Sequence, residues 1–243
     1  MATLAVYSSK GGVGKTSLSV NLAWVAATLS CRRTLLWDLD AQGAASFILA
    51  PDRTARDEAR AVIERDVAPD KVIVPTGIPN LDLLPADASL RTLDLLFADI
   101  GANKRLRRIG ETLGQTYDRI VIDCPPGLGV TAEQVIRSAS LILLPLIPST
   151  LSMRAADELR HHLDQRSKGA PPVLPVFNLV DRRRLAHRAA LAAAPDQPAI
   201  PMASLVEQMA ERHAPVGVYA RTAPVTKAIT ALWTEIERRL AKR

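Results

Sequence analysis

Residues 8–17 read Ser8-Ser9-Lys10-Gly11-Gly12-Val13-Gly14-Lys15-Thr16-Ser17. An apolar run, residues 4–7, precedes them, and Leu18, Leu22, Val25 and Leu29 follow at helical spacing. Glycines in a strand-to-helix turn leave successive backbone N–H groups with no Cβ in front of them, and the helix start adds the positive end of its dipole. Such a concavity suits a polyanionic phosphate chain. Lys15 is placed to neutralise β- and γ-phosphate charge, and the Thr16 hydroxyl to ligate Mg2+. The loop departs from the usual phosphate-loop pattern at its first position, where Ser9 replaces glycine. Lys10 is a second lysine, five positions before Lys15, in a loop type that needs only one. The plain alternatives are a glycine turn that binds nothing and a solvated Lys10.

Carboxylates recur at the ends of apolar runs. Asp38-Leu39-Asp40-Ala41-Gln42-Gly43 follows residues 34–37, and Asp123-Cys124-Pro125-Pro126-Gly127 follows residues 120–122. A carboxylate at the C-terminal edge of a strand, beside a phosphate loop, can orient an attacking water. Asn178 and Asp181 close a later run, where they either meet a nucleotide base or cap the strand end. Arg182, Arg183, Arg184 and Arg188 come next, with Arg184 and Arg188 one helical turn apart. They are either contacts for a nucleic-acid backbone or a solvated charged helix. Lys104, Arg105, Arg107 and Arg108 read as a solvated helix face.

Short buried strands and intervening helices must position these groups. Strands are predicted at 4–7, 34–37, 72–74, 81–84, 120–122, 141–144 and 173–177. Helices are predicted after the glycine loop, over 52–66 and 105–113, and around Ala156, Leu159 and Leu163. A last helix carries Ile229, Leu232, Trp233, Ile236 and Leu240 on one face, while 195–201 reads as a loop. Continuous apolar runs separated by helices predict an α/β domain over 1–243, with a mainly parallel twisted sheet covered by helices on both faces.

Composition agrees. The 243 residues are 48% hydrophobic and 23% charged, which excludes disorder and collagen-like structure. Two cysteines exclude a disulfide scaffold and a Cys-based zinc site, and point to a reducing compartment. The start lacks the pattern of a signal peptide, and the most apolar stretch, 141–147, is too short to span a bilayer. The expected location is cytoplasmic. A net charge of +6 leaves room for an acidic partner.

The stretch KGGVGKT with its extra lysine, DLDAQG and DCPPG, in that order along strand ends, resembles the ParA/MinD family of deviant Walker-A P-loop ATPases. The resemblance implies ATP and Mg2+ as cofactors. It implies nucleotide binding by residues 10–17 (Lys10, Gly11, Gly12, Val13, Gly14, Lys15, Thr16, Ser17) and adenine contacts at Asn178 and, more weakly, Asp181. It places Asp38, Asp123 and Thr16 around the metal, Asp40 on the attacking water, and Lys10 and Lys15 on the phosphates, with Lys10 reaching across a homodimer that sandwiches ATP. Ala41 replaces the usual proline, Gly127 the usual serine, and no arginine follows Pro201 in its loop. Ser9 and the start of the chain at its first strand favour a ParA-like branch without an N-terminal helix-turn-helix domain. The implied function is slow, partner-stimulated ATP hydrolysis that positions a plasmid, chromosome or protein assembly. Nonspecific double-stranded DNA, bound through Arg182, Arg183, Arg184 and Arg188, and a ParB-like or cargo-adaptor activator would be the partners, and the location nucleoid-associated. The alternative is a MinD-like membrane-surface ATPase using the basic tip of the last helix. The continuous apolar face of that helix instead predicts docking on the domain.

Overall fold

The apolar runs become neighbours in one sheet. The computed structural model describes residues 1–53, 58–64, 66–99, 104–127, 129–166 and 170–242. In chain order, β1 (Ala2–Val6) leads into α1 (Lys15–Thr28), and β2 (Thr34–Asp38) into α2 (Ala44–Leu49) and α3 (Ala59–Glu64). Then come β3 (Val74–Pro75), β4 (Leu81–Leu84), α4 (Leu93–Asp99), α5 (Arg105–Leu113), β5 (Arg119–Asp123) and α6 (Val130–Ser138). β6 (Leu141–Leu146), α7 (Thr150–Arg166), β7 (Val173–Val180), α8 (Leu185–Ala193) and β8 (Ala199–Pro201) follow. Three short helices, α9 (Ser204–Glu207), α10 (Met209–Arg212) and α11 (Val216–Tyr219), precede the long α12 (Pro224–Leu240).

The strand order is β3-β4-β2-β5-β1-β6-β7-β8, parallel throughout except for β3 against β4. β1 and β2 both flank β5, so the residues that follow these three strands gather at one edge. Side chains alternate across the sheet. Leu4, Val6, Leu36, Val121, Leu143 and Val176 face one core with α1 and α12. Ala5, Tyr7, Leu35, Trp37, Ile120, Ile122 and Leu144 face the other, with α4, α5 and α6. Burial on both faces is why the strands read as unbroken apolar runs.

Several expected boundaries move. Pro145 does not end β6. The Ile142 N–H donates toward β7, to the Pro172 carbonyl, so odd-numbered residues of β6 face β1. The β1 ladder stops at Val6 opposite Leu143, so the donor that Pro145 lacks falls beyond it. The expected loop 195–201 contains an edge strand, since Ala199–Pro201 pairs with the end of β7 across a register shift, and an edge tolerates Pro201. Leu179, at that irregularity, has φ 55°. The expected strand 72–74 moves to Val74–Pro75, because residues 69–71 form a 3-10 turn opened by Pro69. Of the expected helix 52–66, Ala59–Glu64 is helical, and positions 54–57 and 65 lie outside the described residues.

The last helix docks as its apolar face predicts. Ile229, Leu232, Trp233 and Ile236 are buried, the Trp233 indole N–H donates to Ser30 Oγ at 2.9 Å, and Arg119 donates to both Glu237 carboxylate oxygens at 2.7 and 2.8 Å. Among the described residues, no helix is long and apolar enough to cross a membrane.

Candidate phosphate-binding site

β1 ends at Val6 and α1 begins at Lys15, so the loop between them crosses the carboxyl edge of the central strand. Gly12 (φ 71°) and Gly14 (φ 83°) hold the left-handed backbone that turns the chain back toward the sheet. A Cβ on Gly11 or Gly12 would meet no atom within 4 Å, so the loop opens outward there. Gly14 is different, because a Cβ would lie 2.3 Å from Asn178 Nδ2. That amide donates to the Val13 carbonyl at 2.8 Å, so Asn178, 4% exposed, braces the loop from β7.

Lys15 is buried, and its ammonium donates to the Lys10 carbonyl at 3.2 Å, which places a positive charge inside the cradle. The Lys10 N–H donates to Ser8 Oγ, while the Lys10 side chain is exposed at the rim. Thr16 and Ser17, half-buried at the start of α1, stand beside the loop.

The carboxylates that end β2 and β5 meet as the sheet register requires. Asp38 and Asp123 are opposite one another on β2 and β5, and both are buried. Asp38 accepts from the backbone N–H groups of Asp40 and Ser46 and from the Ser46 hydroxyl, so its oxygens already anchor the segment 38–46. Burial raises its carboxyl above the ordinary range, and the Ser46 bonds oppose that shift. Burial, and then the Asp38 charge, push the Asp123 carboxyl up strongly, with the Thr16 and Ser19 hydroxyls pulling the other way. Asp123 Oδ1 accepts from Ser19 Oγ at 3.0 Å, and its Oδ2 is buried without a hydrogen-bond partner. The orphaned oxygen of Asp123 and the nearby Thr16 hydroxyl form a hard-oxygen donor set that suits Mg2+, with Asp38 backing it from the neighbouring strand. The open loop with Lys15 inside it suits a nucleotide phosphate chain. Asp40, half-buried, uses Oδ1 to accept from the Gln42 N–H and lines a cleft of about 170 Å³ with Pro125, Pro126 and Gly127.

The other expected residues divide. Asn178 reaches the phosphate loop. Asp181 instead takes a bidentate ion pair from Arg183, which holds its carboxyl down at about 2. Arg188 donates to the carbonyls of Arg182 and Arg183, and Arg184 stands at the N-cap position of α8 without a side-chain capping bond. All four arginines are exposed, and among the described residues Arg182 and Arg184 have no ion-pair partner.

Sequence reasoning missed the supports. Ser19 and Ser46 are polar residues in otherwise apolar buried stretches, a pattern that marks a buried hydrogen-bonding duty. Tyr7 donates to the Gly127 carbonyl at 3.0 Å, and Asp94 accepts from the Thr131 N–H and hydroxyl at 2.8 and 2.7 Å. No local signal reveals these two, because their partners lie 120 and 37 residues away.

A protein-family model described as an AAA domain matches residues 1–174. The sporulation initiation inhibitor protein Soj of Bacillus subtilis is 34% identical over 145 residues, covering 59% of this chain and 57% of Soj. The chain therefore spans under two thirds of the length of Soj. The chromosome partitioning protein ParA of Myxococcus xanthus is 31% identical over 195 residues, covering 76% of this chain and 68% of that protein. Among solved structures, cobyrinic acid a,c-diamide synthase from Mycobacterium smegmatis with bound ATP analog and magnesium superposes with a TM-score of 0.81. It is 28% identical, covering 98% of this chain and 94% of the synthase.

Proposed function

Because the chain belongs to the ParA/MinD family of P-loop ATPases, we propose that it is an ATP-gated positioning ATPase that works as a homodimer on DNA. One observation carries the reading: the buried Lys15 ammonium sits inside a glycine loop open to the outside, with the Lys10 side chain free at its rim. The loop N–H groups and Lys15 hold the β- and γ-phosphates of ATP. Thr16 and Asp123 hold Mg2+, which when bound neutralises charge developing on the transferred phosphoryl oxygens. Asp38 supports the metal side indirectly, by fixing segment 38–46 through its three accepted hydrogen bonds. Asp40, at the carboxyl edge of β2, orients the attacking water. Lys10, exposed and unneeded within its own loop, reaches the phosphates of the partner subunit, so that ATP joins two chains.

In this reading the dimer binds double-stranded DNA nonspecifically through Arg182 and Arg184, with Arg183 and Arg188 more constrained by their present bonds. Hydrolysis is slow, a ParB-like or cargo-adaptor protein stimulates it, and the protein is cytoplasmic and nucleoid-associated. The cargo is a plasmid, a chromosome or a protein assembly. A MinD-like membrane role is disfavoured, because the apolar face of α12 is buried against the core. The test is retention on nonspecific duplex DNA with ATP or ADP, at low and moderate salt, for wild type and Lys10→Ala. The expected result is ATP-dependent, salt-sensitive retention in wild type that is lost in the variant. Equal retention of both proteins in every nucleotide state would sink the mechanism.

A further inference from the structure

The segment that follows Asp123 is held from two sides. Beyond it, Asp94 of α4 accepts from the backbone N–H and the hydroxyl of Thr131, and a Cβ on Gly129 would clash with that carboxylate. Before it, Tyr7 donates its hydroxyl to the Gly127 carbonyl at 3.0 Å. Gly127 has φ 113°, which favours glycine, so the carbonyl is aimed by a backbone turn that other residues resist.

Tyr7 is well suited to act as a fixed post. Its ring is 1% exposed within the core, and its N–H donates to the Leu143 carbonyl of β6 at 2.9 Å. It immediately precedes Ser8, whose hydroxyl accepts from the Lys10 N–H. The same stretch of chain therefore sets the phosphate loop and grips the segment 124–127 that follows β5, the neighbouring strand. Pro125, Pro126 and Gly127 line the cleft that also holds Asp40, the residue assigned to the attacking water.

We propose that Tyr7 is a positioning residue for hydrolysis: its hydroxyl holds Gly127, and thereby fixes where residues 124–127 stand relative to the phosphate cradle and Asp40. This rests on the ATPase reading. Small displacements of positioning groups are amplified in rate, while ground-state phosphate binding depends on the loop and Lys15.

The experiment compares wild type with Tyr7→Phe, which keeps the ring and removes only the donor. Four quantities are read: thermal midpoint, affinity for a fluorescent ADP analogue, kcat and KM for Mg-ATP, and amide hydrogen exchange across 124–131. The expected result is a midpoint close to that of wild type, ADP affinity within twofold, kcat reduced about tenfold or more with KM changed less than about threefold, and faster exchange across 124–131. Unchanged kcat with unchanged exchange would overturn the proposal. So would a parallel fall in midpoint, ADP affinity and kcat, which marks a merely structural role. If wild type itself does not hydrolyse ATP, the ATPase reading fails in that arm, while the exchange comparison still decides whether Tyr7 holds the segment.

Discussion

The brace between Gly14 and Asn178 makes a quantitative prediction. An alanine in place of Gly14 would meet two separate penalties. The backbone sits at φ 83°, ψ 32°, where a non-glycine residue costs about 1–2 kcal/mol. Its Cβ would also lie 2.3 Å from Asn178 Nδ2, so the amide must leave the Val13 carbonyl. Leaving that buried acceptor unpaired costs about 1–3 kcal/mol. Gly14→Ala should therefore destabilise the protein by the sum, about 2–5 kcal/mol. Asn178→Ala, which removes the amide, should cost about 1–3 kcal/mol. In the double variant the clash is gone and the hydrogen bond is lost only once. Its cost should match that of Gly14→Ala alone and fall about 1–3 kcal/mol short of the sum of the single effects. Urea unfolding of the four proteins in nucleotide-free buffer measures this. The lower unfolded-state entropy of alanine relative to glycine cancels in the cycle. Additivity to within about 0.5 kcal/mol would refute the claim that Asn178 and Gly14 are in contact.

Further outcomes follow from the same geometry. Asp123 and Asp38 bind protons more tightly folded than unfolded, so the nucleotide-free protein should be more stable in mildly acidic solution and lose stability as pH rises through neutrality. Thermal midpoints from pH 5 to 8 should show that slope, and Asp123→Asn should flatten it. A steeper slope in the variant would contradict the assignment. Trp233→Ala should cost about 3–5 kcal/mol by denaturant unfolding, because the indole is 2% exposed; a cost under about 1 kcal/mol would mean that α12 is not docked. Glu237→Ala removes the partner of Arg119, whose side chain is 14% exposed, and should cost about 1–3 kcal/mol in the same assay. Lys15→Ala should abolish binding of a fluorescent ATP analogue while leaving the thermal midpoint within a few degrees, and retained binding would displace Lys15 from the cradle.

The sequence by itself determined the class of fold and the centre of the site. Burial on both faces writes each parallel strand as an unbroken apolar run, and 81–84 and 105–113 were legible to the residue because their patterns are local. The phosphate loop was legible for the same reason: strand, glycine turn, lysine and helix are contiguous. Edge pieces were not. The sequence places a strand at 72–74, but pairing with β4 begins only at Val74 and runs on to Pro75, while Ala199–Pro201 reads as a loop and is a strand only because β7 offers hydrogen-bonding groups. Tertiary structure alone decided which groups share the site. It turned Asn178 into a brace on the loop and committed Asp38 to Ser46 and Asp40. It also brought Tyr7 onto Gly127, 120 residues away, whereas the pairing of Asp181 with Arg183, two residues on, is local. A carboxylate or an amide carries the same chemistry wherever it stands, and its duty depends on which donor the sheet register places within 3 Å of it. Composition, motif and periodicity do not encode that distance between remote residues.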